Sequence, residues 1–106
     1  MKLKKIGSFK YRQYIIPIYI DNKTKLKPDA DGMFCTDELA IYVSAEVTNN
    51  RLKEVVIHEL EHVFQRFDRF DESLTIEQCE QLCLARENFH REMALRNPKF
   101  WQWLGE

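Results

Sequence analysis

Glycine, proline and cysteine are scarce in this chain, with three of each among 106 residues. So few glycines and prolines exclude collagen-like, low-complexity and linker-dominated readings. The three cysteines, Cys35, Cys79 and Cys83, are an odd number. The basic Met1–Lys5 segment is not followed by an apolar stretch, so no secretory signal is expected. Reduced thiols and a cytoplasmic setting are therefore the expectation. Long hydrophobic runs are missing too. The longest, Leu39–Val43, has five residues, against the ~20 needed to cross a bilayer, so no membrane partner is expected. Neither sign of charge dominates, with 16 basic and 17 acidic residues and a net charge of −1. Residues 1–28 hold eight of the basic residues and a single Asp. They are spread thinly, which reads as the solvated face of a strand and not as a nucleic-acid patch.

What is present is enough for one small core. Apolar residues make up 44% of the chain and thirteen are aromatic. A length of ~100–150 residues is typical of one domain, so residues 1–106 are expected to form one. The first half reads as strands. Tyr11–Ile20 is rich in Tyr and Ile, with Pro17 marking an edge strand or a bulge. Asp21–Gly32 reads as a loop. Met33–Thr36 and Leu39–Ser44 read as a hairpin turning at Asp37–Glu38. The second half reads as helices. Asn49 or Asn50 caps a helix to about Phe67. Asp68–Glu72 reads as a polar loop. Thr75 and Gln78 form a capping box for a helix to about Arg96. Asn97-Pro98 opens a short last helix that stops at Gly105. The predicted class is α+β: a small N-terminal sheet, two long helices and a short C-terminal helix.

The chemistry-bearing signal is His58-Glu59-Leu60-Glu61-His62, an H-E-x-x-H pattern inside the first long helix. Residues i and i+4 stack on one helix face, so both imidazoles can converge on one metal ion. Glu59, rotated by about 100°, can reach a water on that metal. The motif supplies two zinc ligands, His58 and His62, and a general base, Glu59. On a helical wheel with His58 at zero, Leu52, Val56, Ile57, Leu60, Val63, Phe64 and Phe67 fall between about 120° and 260°. The histidines are expected to point away from that apolar arc. Leu60 is expected in the core, and Glu61→Gln is expected to be nearly silent for folding.

A catalytic zinc takes three protein ligands. Candidates for the third are Asp68, Asp71, Glu72, Glu77, Glu80 and Glu87. On the second helix Ile76, Cys79, Leu82, Cys83, Ala85, Phe89, Met93 and Ala94 form the predicted apolar arc. Glu80 and Glu87 lie at its rim, where a ligand belongs, and Glu80 is preferred. Asp68 is the weaker choice, because Gln65 stands where a turn glycine would bring a ligand round. Cys79 and Cys83 are an i, i+4 pair that could bind a metal, but both lie in the apolar arc and read as small buried hydrophobes. His90 lies in the same arc, either as a core histidine or facing the site. Tyr42 is a candidate oxyanion donor whose sheet face is open.

These residues resemble a family. The His58–His62 motif, the preceding hairpin and the following acidic helix are similar to minimal zincin metallopeptidases. The likeness is to the ImmA/IrrE type and to small phage- or prophage-encoded metallopeptidase-like proteins. The tail Arg96-Asn97-Pro98-Lys99-Phe100-Trp101-Gln102-Trp103-Leu104 resembles an ending associated with the phage proteins. The resemblance covers roughly residues 30–106. It implies a zincin-like fold, zinc held by His58, His62 and a glutamate on the next helix, a position matched here by Glu80, and Glu59 as base.

The first functional expectation is a zinc metalloendopeptidase, a hydrolase acting on a protein or peptide that pairs with the Leu39–Ser44 strand. The second is a metal-binding phage or prophage protein, catalytically weak or inactive, that acts by binding a host protein. A di-iron carboxylate protein would need a four-helix bundle. Glu87-Asn88-Phe89-His90 offers a second E-x-x-H, but the strand-rich first half leaves too few helices. Peptide deformylase combines this motif with a cysteine ligand, but the chain is short for that family and lacks its glycine-rich surroundings at Cys35.

Overall fold

The Tyr- and Ile-rich run that reads as one strand contains a hairpin turn. The computed structural model describes residues 3–68 and 70–105, without the side chains of residues 70, 71 and 104. Strand β1 (Leu3–Tyr11) turns at Arg12 and Gln13 into β2 (Tyr14–Asp21), with Tyr11 paired to Tyr14. Arg12 has a φ of 56°. A left-handed first turn position is where hairpins usually place glycine. Arg12 fills it instead, so no local signal marks the turn.

Strands β3 (Gly32–Cys35) and β4 (Ala40–Ser44) form the expected antiparallel hairpin. The sheet order is β1-β2-β4-β3, and β4 runs parallel to β2. The 22–31 loop carries the chain one strand position outward, and β4 then returns to fill the gap. Pro17 lies opposite Ser8, one residue before the β2–β4 ladder begins at Ile18. Its missing N–H therefore leaves that ladder intact. Strand β2 is interior, and the irregularity of the sheet falls on β1, between Lys5 and Gly7. Strand β4 is interior as well, paired with β2 over Ile41–Ser44 and with β3 over Ala40–Val43. That corrects the expectation of a peptide joining the Leu39–Ser44 strand, whose backbone groups are already in ladders. Among the described residues the open edge on this side belongs to β3.

Both faces of β4 are buried. Ile16, Ile18, Ile41 and Val43 belong to the core. Gly32 pairs with Val43 and Phe34 with Ile41, so these side chains share a face with the Gly32 position. The first part of helix α1 (Asn49–Phe67) approaches this face through Val55 and Glu59. A Cβ built on Gly32 would come 2.6 Å from Val55 Cγ1 and 3.2 Å from Glu59 Oε2. Gly32 thus lets the helix approach the strand closely. The opposite face carries Ala40 and Tyr42, packed with Leu26, Tyr19, Ala30, Met33 and Cys35. Each fully buried Ile or Val on the sheet contributes roughly 1.5–3 kcal/mol.

Asp21 holds the loop against the sheet. Its carboxylate accepts from the backbone N–H of Thr24, Lys25 and Leu26 and from the Thr24 hydroxyl. Burial pushes this carboxyl up, but the hydrogen bonds from Thr24, Leu26 and Lys25 outweigh it and hold the pKa at about 2.

The second half is helical, as expected. Helix α1 begins at Asn49, and the Leu52 N–H closes on the Thr48 carbonyl. The Asp68–Glu72 segment is not wholly a loop, because α2 (Phe70–Ser73) makes one helical turn. Helix α3 (Ile76–Arg96) opens on the predicted capping box, with both the Thr75 and Gln78 bonds formed. Helix α4 (Pro98–Leu104) has Pro98 in its first turn, and Asn97 makes no side-chain cap bond. The fold is α+β, a four-stranded sheet followed by helices. No helix among the described residues is long and apolar enough to cross a membrane. The chain divides into two compact units, Met1–Leu60 and Glu61–Glu106, with the boundary inside α1.

Two outcomes are expected. Gly32→Ala should lower the unfolding free energy by about 1–3 kcal/mol, the usual cost of overpacking, read as a lower thermal midpoint. Because the Asp21 pKa is depressed in the fold, its stabilisation is present above the unfolded value of ~3.9 and is lost as pH falls toward about 2. Asp21→Asn should therefore be less stable than wild type at pH 7 and lose less stability than wild type between about pH 4 and about pH 2, read as urea midpoints followed by circular dichroism across that window.

Candidate metal centre

On α1 the side chains of Val55, Glu59, Glu61, Val63 and Gln65 are buried. On the helical wheel these flank His58 and His62, which fall between Glu61 and Gln65 on one side and Val55, Glu59 and Val63 on the other. The histidines thus occupy the middle of the packed side, contrary to the expectation that they point away from it. Leu52, Val56, Ile57, Leu60, Phe64 and Phe67 are only half-buried. Two enclosures cause this. The sheet face at Gly32 meets Val55 and Glu59 in the first unit. In the second unit α3 meets Glu61, His62 and Gln65.

Helix α3 has a narrow buried stripe of Cys79, Cys83 and Glu87, spaced four residues apart. The broader predicted apolar arc is only partly packed, with Ile76, Ala85, Phe89 and Ala94 exposed. Polar bonds hold α3 to the second part of α1. Gln65 Nε2 donates to the Cys79 carbonyl at 3.2 Å. The buried Glu61 carboxylate accepts from Arg86 Nε and lies 2.9 Å from His90 Nε2. Glu61 is therefore not a solvated surface residue, which corrects the expectation of a silent Glu61→Gln. His90 is taken up by this network and by an edge contact with the Trp101 ring, whose centroid is 6.0 Å away. Its Nδ1 is buried without a hydrogen-bond partner among the described residues.

His62 is the meeting point of the second unit. Its Nε2 lies 2.7 Å from Glu80 Oε1. Cys83 Sγ lies 3.6 Å from His62 Nδ1 and 3.8 Å from Nε2. His58 stands one turn earlier on the same helix. Donor atoms of His58, His62 and Cys83 all lie within 4.8 Å of one another. This His/His/Cys group can hold a metal ion. The structure thus brings His58 and His62 together as predicted and places Glu80 against His62. It adds Cys83, which the sequence assigns to the core because a buried thiol packs like a small hydrophobe. The available signal was its place on the buried stripe of the helix that follows the motif.

The remaining candidates lie elsewhere. Glu59 is buried against β3 at Gly32. Glu87 is buried one turn beyond Cys83. Glu72 and Glu77 are exposed, in α2 and in the first turn of α3. Asp68 ends α1, its N–H bonded to the Phe64 carbonyl. The Asp71 side chain lies outside the described residues. Tyr42 belongs to the sheet face away from α1, and its hydroxyl donates to Glu38. It is not an oxyanion donor for a site on α1.

No protein-family model, curated protein or solved structure matches the chain. Function therefore has to be argued from the side chains themselves. The donor set suits a borderline-soft divalent ion: two imidazoles and a thiol fit zinc better than magnesium or calcium, which take oxygen ligands.

Glu61→Gln keeps the shape of the side chain but removes its charge between Arg86 and His90. It should cost about 1.5–3 kcal/mol, the range for hydrogen bonds to charged groups. A urea midpoint that falls with an unchanged slope would show this, and a midpoint equal to wild type would count against the network.

Proposed function

We infer that the protein is a zinc-dependent hydrolase of peptide bonds. The observation that carries this reading is the H-E-x-x-H helix with His58, His62 and Cys83 donors gathered within 4.8 Å. His58 and His62 would hold the ion, with a third donor from α3. When bound, zinc supplies Lewis acidity, lowering the pKa of a water to ~7 and polarising a carbonyl. Glu59 sits next to His58 on the helix and is rotated away from the donors by about 100°. Its carboxylate takes the proton of the attacking water and passes it to the leaving amine. Burial of Glu59 beside Gly32 limits the rotamers open to that carboxylate. Strand β3 is an edge beside Glu59, so an extended peptide adding to Gly32–Cys35 would bring its backbone near the base. The three free cysteines fit a reducing, cytoplasmic setting.

A second reading is favoured by one observation. Phe100, Trp101 and Trp103 of α4 are exposed, and exposed aromatic groups suit an interaction surface. In that reading the metal is structural and the protein acts by binding another protein.

Glu59→Gln separates the two. It should bind zinc and fold as wild type does, and lose about 10²–10⁴-fold in hydrolysis of a denatured-protein substrate. His58→Ala and His62→Ala should lose the metal, measured by elemental analysis. A wild type that binds zinc but cleaves no peptide mixture would favour the binding reading.

A further inference from the structure

We propose that the third protein donor of the metal is the Cys83 thiolate, and that Glu80 is not a ligand but the carboxylate that orients His62. This deepens the zinc-site reading and rests on it. The distances distinguish the two roles. Two donors on one tetrahedral zinc, one sulfur and one nitrogen, sit ~3.5 Å apart, and a nitrogen and an oxygen sit ~3.3 Å apart. Cys83 Sγ lies 3.6 Å from His62 Nδ1, the spacing of two ligands. Glu80 Oε1 lies 2.7 Å from His62 Nε2, too close for two ligands and right for a hydrogen bond.

The tautomer follows. A carboxylate can only accept, so Nε2 carries the proton and Nδ1 keeps the lone pair. Nδ1 is also the nitrogen nearer Cys83 Sγ, at 3.6 Å against 3.8 Å. Metal-bound imidazoles commonly donate their other N–H to a carboxylate in this way, which fixes the ring and raises its basicity. Exposure agrees with the division of roles. The Cys83 residue is 0% exposed, while the Glu80 side chain is 49% exposed. A solvated glutamate reaches in from the rim, and the buried thiol lines the site. The spacing on α3 makes both possible, because Glu80 and Cys83 are three residues apart and neighbours on one side of the helix. A thiolate donor also sets the metal class: zinc, cobalt(II) or iron(II) in preference to magnesium, calcium or manganese.

Cobalt(II) substitution of the whole chain tests this without any activity assay. A thiolate on tetrahedral cobalt(II) gives an intense near-ultraviolet sulfur-to-metal charge-transfer band. Wild type should show the band, and Cys83→Ser should lose it. The Cys35→Ser/Cys79→Ser variant, whose only thiol is Cys83, should keep it, so the proposal stays testable where Cys83→Ser does not fold. Glu80→Ala should keep the band and bind cobalt about 10–100-fold more weakly. Glu80→Gln, whose carbonyl still accepts from Nε2–H, should recover most of that affinity. A wild type that binds cobalt stoichiometrically without the band would overturn the thiolate assignment and leave the metal site standing. So would a band that survives in Cys83→Ser. Glu80→Gln binding as poorly as Glu80→Ala would overturn the orienting role. A wild type that binds neither cobalt nor zinc would overturn the metal site and this inference together.

Discussion

The architecture turns on one constraint: α1 buries polar side chains that must each find a partner. Glu59, Glu61 and Gln65 are all buried on this helix, with His58 and His62 among them. An unpaired buried charge costs several kcal/mol, comparable with the whole stability of a small domain. Apolar packing alone cannot satisfy such a helix. Gln65 finds the Cys79 carbonyl, and Glu61 finds Arg86 and His90. These bonds set where α3 lies along the second part of α1. That placement brings Glu80 and Cys83 to His62.

The sheet solves a different problem for the first part of the same helix. A glycine in the middle of a β-ladder usually weakens it. Here Gly32 opens space for Val55 and Glu59 to approach the strand. The other face is closed by the 22–31 loop, which has few apolar residues of its own. Asp21 compensates by taking four hydrogen bonds from Thr24, Lys25 and Leu26, which pins Leu26 into the small core around Tyr42. The helix is therefore carried by a sheet whose two faces are held by different means: close packing on one side, a charged side chain folded into its own loop on the other.

The H-E-x-x-H motif gains meaning from this setting. A solvated His pair on a helix surface would be chemically ordinary. His62 instead meets Glu80 and the buried thiol of Cys83. Such a site offers a metal donors of mixed softness and keeps a carboxylate, Glu59, buried beside them. Two of the donors, His58 and His62, sit one turn apart on a single helix, so no loop has to bring them together.

Local signals made much of this legible. Thr75 and Gln78 announce the start of α3 through a side-chain bond that needs no tertiary contact. The β3–β4 hairpin and the i, i+4 histidines are equally local. The Arg12–Gln13 turn was not legible, because it places a non-glycine residue in a left-handed conformation. The packed side of α1 was not legible either. A hydrophobic wheel assumes that apolar residues choose the buried face, whereas here carboxylates and amides are buried by specific partners. The register of β4 between β2 and β3 depends on long-range pairing that no neighbouring residue encodes. The same holds for Cys83. By itself the sequence determines the motif and the helix that displays it, since both follow from residues a few positions apart. Only the tertiary structure decides which side chain of α3 meets His62, because that depends on how polar groups far apart in the chain satisfy one another.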